Sequence, residues 1–277
     1  MKLVLFSKHF AGEDVPKLAA RANKLGLDGY DLAVRPGQAV NPENALTALP
    51  EAVSFFKKEG LAIPMVTARG NLLSPEDDDV RPLLKAMDKA DVRLLKLGYF
   101  HLKRFQPFDY WKEVDAARKI LAKWAKLGAE YRIRICYHTH SAHKGEHLYL
   151  GSNASGLMHL LEGQDSVNLG AYLDAGHLEA EGEPFDFAVP ITGKYFSMLA
   201  VKDVRIEKVG EERKAHWMPA GQGQVDWNNV FRTLGNEGFD GTISIHAEYE
   251  VSGNETFESQ LPKEVAFFRD KVKKFLK

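Results

Sequence analysis

Four segments of this 277-residue chain begin with apolar residues and end in side chains that bind metals or transfer protons. They are ICYHTH (135–140), GAYLDAGH (170–177), MLAVKD (198–203) and ISIHAE (243–248). A buried strand that ends in His, Asp, Glu or Lys delivers a polar group to one edge of a sheet. The recurrence of this pattern predicts a metal-binding or proton-transfer site at one rim of a barrel.

The side chains at these strand ends are of types that bind transition metals. His138 and His140 are two residues apart and therefore share one face of a strand, as do His246 and Glu248. Imidazole and carboxylate together suit Mn, Fe, Co or Zn better than Ca, which prefers oxygen ligands. We therefore expect His138, Asp174 and His246 to bind a divalent metal. The alternative for any one of these histidines is a structural hydrogen bond.

Other polar residues stand near predicted strand ends and complete the rim. Lys202 and Asp203 form either a plain salt bridge or, through the lysine, a contact to an enolate or carbonyl oxygen. The turn at 175–176 is expected to bring His177 back toward the rim. The remaining rim residues are Lys8, His9, Arg35, Thr67, Arg69, Tyr99 and His101. Four further histidines are expected at the surface, namely His143, His147, His159 and His216.

Short apolar runs alternate along the chain with segments of helical periodicity. Eight strands are predicted, at 3–6, 29–34, 62–67, 93–97, 132–137, 168–173, 196–201 and 242–247. The segments between them carry apolar residues at three- and four-residue spacing, including Trp111, Val114, Leu121 and Trp124. The last helix has one continuous apolar stripe, made of Phe257, Leu261, Val265, Phe268, Val272 and Phe275. Gly26, Gly60, Gly128 and Gly238 follow helical segments, as C-terminal caps do.

Eight alternating β and α units with short connections predict a parallel sheet closed into a single (β/α)8 TIM barrel domain that spans residues 1–277. An open doubly wound sheet is the alternative. The segment SKHFAGED after the first strand is not a dinucleotide or phosphate loop, which disfavours the open sheet. The longest irregular stretch, 204–225, is predicted to be a functional loop over the barrel mouth.

Composition restricts the classes of partner. With 37 basic and 38 acidic residues the formal net charge is −1, so no overall field favours nucleic acid or an anionic membrane. Cys136 is the one cysteine and lies in an apolar strand, where a buried inert thiol is expected. No apolar stretch approaches the roughly 20 residues of a membrane span, and the first residues lack a signal peptide core. We expect a cytoplasmic protein.

Four motifs give the chain a resemblance to a known family. YLDAGHLEAEGE, LAVKD, MPAGQGQVDW and FDGTISIHAEYE resemble, in order and spacing, segments of the sugar phosphate isomerase/epimerase family of xylose isomerase-like TIM barrels. That family includes hydroxypyruvate isomerase, tagatose 3-epimerase and inosose dehydratase. The resemblance covers almost the whole chain and implies a xylose isomerase-like barrel with a divalent metal cofactor, whether Mn, Co, Zn, Fe or Mg.

The family's usual ligand set is altered in this chain. The resemblance implies Glu, Asp, His and Glu from strands five to eight, and of these positions only Asp174 matches. The other three are His138, Ala200 and His246. Glu146 stands at an offset comparable to that of a ligand in inosose dehydratases, although in a polar insertion. These differences imply either a metal site with altered ligands or a metal-free relative whose site is degenerate.

The resemblance implies isomerisation or epimerisation of a sugar or keto-sugar through an enediolate, which needs a base, an electrophile and an acid. Glu248 is the expected base, on the condition that burial raises its pKa, because a carboxylate beside a cation is otherwise a weak base. His177 is expected to orient the substrate or carry a proton, and Lys202 and Arg35 to hold oxygens. Residues expected to line the substrate are Tyr99, His140 and Trp217, together with Tyr137 if it is not in the core.

Two alternatives stay open, and a third, a nuclease, is disfavoured by the near-neutral charge and the few candidate ligands. A lyase or dehydratase acting on a keto-sugar, keto-glycoside or keto-inositol would use the same enolate and then expel a β-hydroxyl group. A non-catalytic sugar-binding relative would fit the Ala200 substitution. A nuclease would need more ligands and a basic track for DNA. The expected partner is therefore a small sugar or polyol, no anion-binding loop is evident, and a homo-oligomer is left open.

Overall fold

Eight short apolar segments form the parallel strands of a closed barrel. The computed structural model describes residues 1–142, 146–249, 251 and 255–276. Strands in this part of the chain are β1 (Lys2–Phe6), β2 (Gly29–Ala33), β3 (Ala62–Thr67), β4 (Leu94–Lys96), β5 (His101–Lys103), β6 (Arg134–His138), β7 (His147–Tyr149), β8 (Leu169–Asp174), β9 (Phe196–Val201), β10 (Asp203–Val209), β11 (Glu212–Met218) and β12 (Thr242–Ile245). The barrel order is β1-β12-β9-β8-β6-β4-β3-β2, which confirms the predicted fold.

Helices follow the barrel strands and pack on the outside of the barrel, as in other (β/α)8 proteins. They are α1 (Val15–Leu25), α2 (Ala45–Lys58), α3 (Val80–Ala90), α4 (Tyr110–Tyr131), α5 (Ala154–Leu161), α6 (Ala175–Glu181), α7 (Phe185–Thr192), α8 (Trp227–Asn236) and α9 (Phe257–Phe275), with short 3-10 turns at Ser7–Phe10 and Gly193–Tyr195. Among the described residues, no helix has both the length and the apolar character needed to cross a membrane.

Local sequence signals set the helix ends. Asp14 caps α1 by accepting a hydrogen bond from a backbone N–H of the first turn, and Gly26 ends the same helix in the left-handed conformation at φ 68°. The prediction of a cap at Gly128 is wrong, because α4 continues beyond it. A Cβ atom at Gly128 would lie 2.5 Å from the carbonyl oxygen of Ile133, so close packing requires the glycine.

The main core lies between the barrel and the helices. Leu261, Val265 and Phe268 of α9 are buried in it, which confirms the predicted apolar stripe. On α4, Trp124 is fully buried and its indole N–H donates to the Leu73 carbonyl at 2.7 Å. Trp111 was expected on the same buried face but is 59% exposed, because it lies in the first turn of α4 beyond the reach of the barrel.

Two antiparallel two-stranded sheets lie beyond the carboxyl ends of the barrel strands. The prediction of an irregular loop at 204–225 is wrong for its first part, since β10 and β11 pair over their whole length as a hairpin. The strands β5 and β7, which come from the connections after β4 and β6, form a second sheet that the sequence did not indicate. His147 lies on β7, half-buried with its ring 4.4 Å from that of His101, and so is not the surface residue expected. Both sheets carry aromatic residues toward the same end of the barrel.

A second, smaller core fills the interior of the barrel with Met65, Cys136, Tyr172, Met198 and Ala200. Burial raises the pKa of the Cys136 thiol to about 11, so the thiol stays protonated and unreactive at neutral pH. The prediction of an inert cysteine is therefore confirmed. This layer closes the barrel beneath the polar strand ends.

Helix α9 buries one carboxyl group. Glu264 is 1% exposed and lies beside the Tyr249 hydroxyl and the backbone of Ala220. Burial raises the pKa of Glu264 to about 8, and the contacts with Tyr249 and Ala220 lower it by less. Native Glu264 is therefore protonated at neutral pH, whereas the unfolded chain ionises near pH 4.5.

We expect the free energy of unfolding to fall as the pH rises from about 4.5 to about 8, because the unfolded state releases the Glu264 proton first. The Glu264→Gln variant cannot ionise. Its stability relative to the unsubstituted protein should rise with pH by about 1.4 kcal/mol per unit in this interval. Urea denaturation at pH 5.5 and 7.5 measures the difference. Asp270→Asn, an exposed carboxyl on the same helix, is the control, and a pH-independent difference for Glu264→Gln would contradict the prediction.

Candidate functional site

The three residues expected to bind metal lie together at the carboxyl ends of the barrel strands. His138 ends β6, Asp174 ends β8, and His246 directly follows β12. The Oδ2 atom of Asp174 lies 3.4 Å from Nε2 of His138 and 3.8 Å from Nδ1 of His246. One ligand atom from each residue lies within 4.8 Å of the other two, and all three residues are buried. Ligand atoms at this spacing can share one cation.

The chemistry of these atoms fits a divalent cation. His138 Nε2 and Asp174 Oδ2 are buried without a hydrogen-bond partner, and such atoms cost free energy that a bound cation would recover. Burial, followed by the charge of Lys96, lowers the pKa of His138 well below its usual value, so the imidazole is neutral. When its Nδ1 donates to the Tyr99 hydroxyl, 3.3 Å away, Nε2 keeps a lone pair for a metal.

A buried polar network inside the barrel orients His246. Its Nε2 lies 3.0 Å from the Tyr172 hydroxyl, which in turn donates to Asp31 Oδ2 at 3.3 Å. Asp31 also accepts from Thr67 at 2.6 Å and from Ser244 at 3.1 Å. If Nε2 of His246 donates to Tyr172, Nδ1 faces Asp174 with a free lone pair. The sequence offered one signal for this network that was missed, an acidic residue inside the apolar strand GYDLA.

His177 reaches the site because Asp174 begins helix α6. The Oδ1 atom of Asp174 accepts a hydrogen bond from the backbone N–H of His177 at 3.0 Å, which places the ring at the rim as predicted. Nδ1 of His177 accepts from the backbone N–H of Ser141 at 3.1 Å, so the proton of the neutral ring is on Nε2. Burial, and then the charge of Lys202, lowers the pKa of His177 well below its usual value. His177 is therefore a neutral hydrogen-bond donor.

Glu248 lies between two lysines. It forms an ion pair with Lys8, and Lys202 Nζ lies 2.8 Å from its Oε2 atom. Lys202 Nζ also lies 3.5 Å from Asp174 Oδ2. Burial raises the pKa of Glu248, but the charges of Lys202, His246 and Lys8 outweigh burial and leave the pKa well below its usual value. Because a carboxylate of low pKa is a weak base, this ion-pair arrangement opposes the role expected for Glu248.

Aromatic rings line one wall of the site. The His140 ring lies 4.6 Å from that of Tyr99 and 4.2 Å from that of His177. Trp217 comes from strand β11, with its ring 4.8 Å from that of His177. Burial, and then Lys202, lowers the pKa of His140 to about 3, so this ring is neutral as well. Three of the residues expected to contact substrate, Tyr99, His140 and Trp217, therefore share one wall, whereas Arg35 lies against Phe6 and Ala68.

Two tyrosines differ from what the sequence indicated. Tyr149, from strand β7, was missed, although its ring lies 4.6 Å from that of His140. Tyr137 was left between core and site. Its hydroxyl accepts from the Phe100 N–H at 2.8 Å and donates to the Leu150 carbonyl at 3.0 Å, so it anchors the β5–β7 sheet in the core.

Several expected rim residues lie outside this cluster. Arg69 pairs with Asp77 and Asp79. His101 and Glu146 are exposed, and the described contacts do not link Glu146 to the three ligand candidates. Three further histidines are also exposed, namely His9, His159 and His216. His143 lies outside the described residues.

The residue pair Lys202–Asp203 is divided between two tasks. Lys202 belongs to the site, as described above, and does not form a plain salt bridge with its neighbour. Asp203 accepts hydrogen bonds from the backbone N–H groups of Gly221, Gly223 and Val225 and from the Trp227 indole, at 2.8 to 3.2 Å. The β10–β11 hairpin carries Trp217. The segment that follows this hairpin is therefore tied to the barrel through one buried carboxylate.

Comparison with known proteins identifies the family of the chain. The sequence profile of the xylose isomerase-like TIM barrel family matches residues 19–271, and the chain belongs to this family. The resemblance noted from its motifs is confirmed. No curated protein sequence matches the chain.

Solved structures show the same fold at low sequence identity. D-psicose 3-epimerase with D-tagatose, from Clostridium cellulolyticum H10, is 17% identical over 100% of both chains with a TM-score of 0.72. The IOLI protein with a bound zinc atom is 15% identical over 100% of this chain and 99% of that one, with a TM-score of 0.72. A probable 3-DHS dehydratase from Bacillus anthracis, AsbF, is 16% identical over 97% and 99%, with a TM-score of 0.69.

We expect Asp203→Asn to destabilise the protein by about 3 kcal/mol, because an amide nitrogen would replace one acceptor among N–H donors in a buried position. Urea denaturation followed by tryptophan fluorescence measures the loss. Asp226→Asn is the matched control, since Asp226 caps α8 and asparagine caps a helix equally well. Equal stability of the two variants would show that the Asp203 contacts do not hold the segment.

Proposed function

We propose that this protein is a divalent-metal-dependent isomerase or epimerase that acts on a sugar or keto-sugar through an enediolate. The observation that carries the proposal is the convergence of His138, Asp174 and His246, in which two buried atoms, His138 Nε2 and Asp174 Oδ2, have no hydrogen-bond partner among the described residues. Similar structures of a sugar epimerase and of a zinc-binding protein support it. A small molecule as substrate and a cytoplasmic location are parts of the same proposal.

The metal would be held by His138 Nε2, Asp174 Oδ2 and His246 Nδ1. A cation there supplies Lewis acidity toward a substrate carbonyl and orients the neighbouring hydroxyl. Two imidazoles and one carboxylate suit Zn, Co, Mn or Fe better than Mg, which prefers oxygen ligands. The network of Tyr172 and Asp31 behind His246 would keep its metal-binding nitrogen unprotonated.

The other side chains have separate roles in the proposal. His177 donates from Nε2–H to a substrate oxygen, which stabilises negative charge without a change in its own protonation. Lys202 offers an ammonium group to the same region, and its pKa is raised because the attraction of Asp174 and Glu248 outweighs the lowering by burial. Tyr99 and Trp217 pack against the apolar face of the sugar ring.

Glu248 is the proposed base, on the condition that substrate binding raises its pKa. Its side chain is 20% exposed, whereas Asp174 is fully buried, so Glu248 is the carboxylate that a substrate can reach. Its pKa is low while Lys8 and Lys202 both contact it. When substrate oxygens engage these ammonium groups, the carboxylate loses their stabilisation and becomes a stronger base.

A dehydratase is the second candidate, and one of the similar structures is described as a probable dehydratase. The same carbon acid would lose a proton, and the enolate would then expel a β-hydroxyl group instead of taking the proton back. The two reactions share every residue named above, so the fate of the enolate distinguishes them.

We expect the metal-free protein to bind Mn, Co or Zn with one ion per chain, because the three ligand atoms lie ready in a buried cluster. Alanine in place of His138 or His246 should weaken binding by about 100-fold or more, since even residues behind the ligands contribute 10- to 100-fold. Calorimetric titration measures the affinity. His216→Ala, an exposed histidine, is the control. Absence of binding by the unsubstituted protein would contradict the metal site and favour a degenerate relative.

We expect the metal-loaded protein to exchange the carbon-bound hydrogen beside the carbonyl of a 3-keto-sugar for deuterium in D2O. Glu248→Gln should slow the exchange by about 100-fold or more, as expected for loss of a general base. NMR follows the exchange, and mass spectrometry of the products identifies the reaction. Detection of epimers or isomers supports the proposed isomerase or epimerase. Loss of water or of an aglycone supports the dehydratase. Absence of exchange in every 3-keto-sugar tested excludes both reactions.

A further inference from the structure

Lys96 and Arg35 at the barrel mouth have no carboxylate partner among the described residues. Lys96 is the last residue of β4, and Arg35 follows β2. In the barrel these strands flank β3; β2 lies across the mouth from β8, which carries Asp174, and β4 lies beside β6, which carries His138. The sequence indicated no charged partner for either cation, and Lys96 was not among the predicted site residues.

The contacts of Lys96 leave most of its hydrogen-bonding capacity unused. Its side chain is 2% exposed, and its Nζ atom donates to the Leu97 carbonyl at 3.3 Å and lies 4.3 Å from the centre of the Tyr99 ring. Within residues 1–142, 146–249, 251 and 255–276, no carboxylate oxygen lies within 4.0 Å of this nitrogen. An ammonium group without an ion partner in such a position costs free energy.

Arg35 is in a similar situation. Its Nε–H donates to the Ala68 carbonyl at 3.1 Å, and its guanidinium carbon lies 5.2 Å from the centre of the Phe6 ring. No ion pair involves this guanidinium in the part of the chain that the structure describes. The two terminal nitrogens, whose planar arrangement matches a carboxylate or a phosphate, are thus without an acidic partner.

The nearby carboxylates are already engaged. Glu248 pairs with Lys8 and Lys202, and Asp174 faces Lys202 and the two histidines. Asp31 accepts the hydrogen bonds of the barrel network. The positive charge of Lys96 and Arg35 is therefore not balanced by a contact within the site, and a metal ion would add to this excess.

The ionisation of Lys96 agrees with this geometry. Burial, and then the charge of Arg35, lowers the pKa of Lys96 to about 7, while the more distant Asp31 and Glu248 compensate only in part. Arg35 is thus close enough to repel the ammonium group. A lysine kept in this environment destabilises the protein on its own, so its presence is explained by a ligand that brings negative charge.

We propose that Arg35 and Lys96 form an anion-binding subsite and that the substrate is an acidic sugar, with a carboxylate or phosphate group, rather than a neutral one. The subsite stands on the geometry of these two residues. Its assignment to a substrate rests on the proposed function. The absence of a phosphate-binding loop in the sequence does not oppose it, because the anion is held by side chains from two strand ends.

The test measures binding of three probes to the metal-free protein by calorimetry at constant ionic strength, which holds general screening fixed. The probes are D-gluconate, D-glucose 6-phosphate and neutral D-sorbitol. At least one anion should bind ten times more tightly than sorbitol. Preference for gluconate identifies a carboxylate ligand, and preference for the phosphate identifies a phosphorylated one. If neither anion binds more tightly than sorbitol, the proposal is overturned.

Variants assign the binding to the two residues. Lys96→Met and Arg35→Gln should each weaken anion binding by tenfold or more. Lys119→Met removes an exposed lysine from α4 and should leave binding unchanged. Lys96→Met should melt at the same or a higher temperature than the unsubstituted protein, since a buried unpaired charge is removed. Unchanged anion binding in a folded Lys96→Met protein would overturn the subsite. Because no metal is present, failure here is distinct from failure of the metal titration.

Discussion

The buried carboxylate of Asp174 is the group on which the arrangement of the site depends. One oxygen caps helix α6 and thereby places His177, while the other faces His138, His246 and Lys202. A carboxylate with no exposure is stable only when cations or hydrogen-bond donors surround it. This requirement explains why polar groups from several strands meet at one point, and it links the local structure of α6 to the chemistry of the site.

Neutral histidines and paired lysines divide the charge of the site. Burial lowers the pKa of His138, His140 and His177, so these rings act as lone-pair or N–H groups and not as cations. Positive charge is carried by lysine and arginine. The site is therefore built to receive electron-rich ligands, whether substrate oxygens or an acidic group, and its rings are fixed by hydrogen bonds before any ligand arrives.

Structures outside the barrel complete the site. Trp217 belongs to the β10–β11 hairpin and Tyr149 to the β5–β7 sheet, and Asp203 ties the segment after the hairpin to the barrel. Loops at the carboxyl end of (β/α)8 barrels vary while the barrel persists. The D-psicose 3-epimerase and the probable dehydratase share the fold of this chain, so the fold by itself does not specify a reaction.

The sequence alone determined the barrel and the three ligand candidates, because strand periodicity and parallel order place every strand end at one rim. This reasoning identified the ligand candidates His138, Asp174 and His246. It could not identify Asp31, since the hydrogen-bond partners of that residue, Thr67, Tyr172 and Ser244, come from three other strands that surround it only when the barrel closes. The low pKa of Glu248 likewise follows from the charges of Lys202 and, to a smaller extent, of Lys8, which is 240 residues away. Tertiary structure decided which charges are paired, because that depends on distances across the barrel mouth that local sequence does not specify.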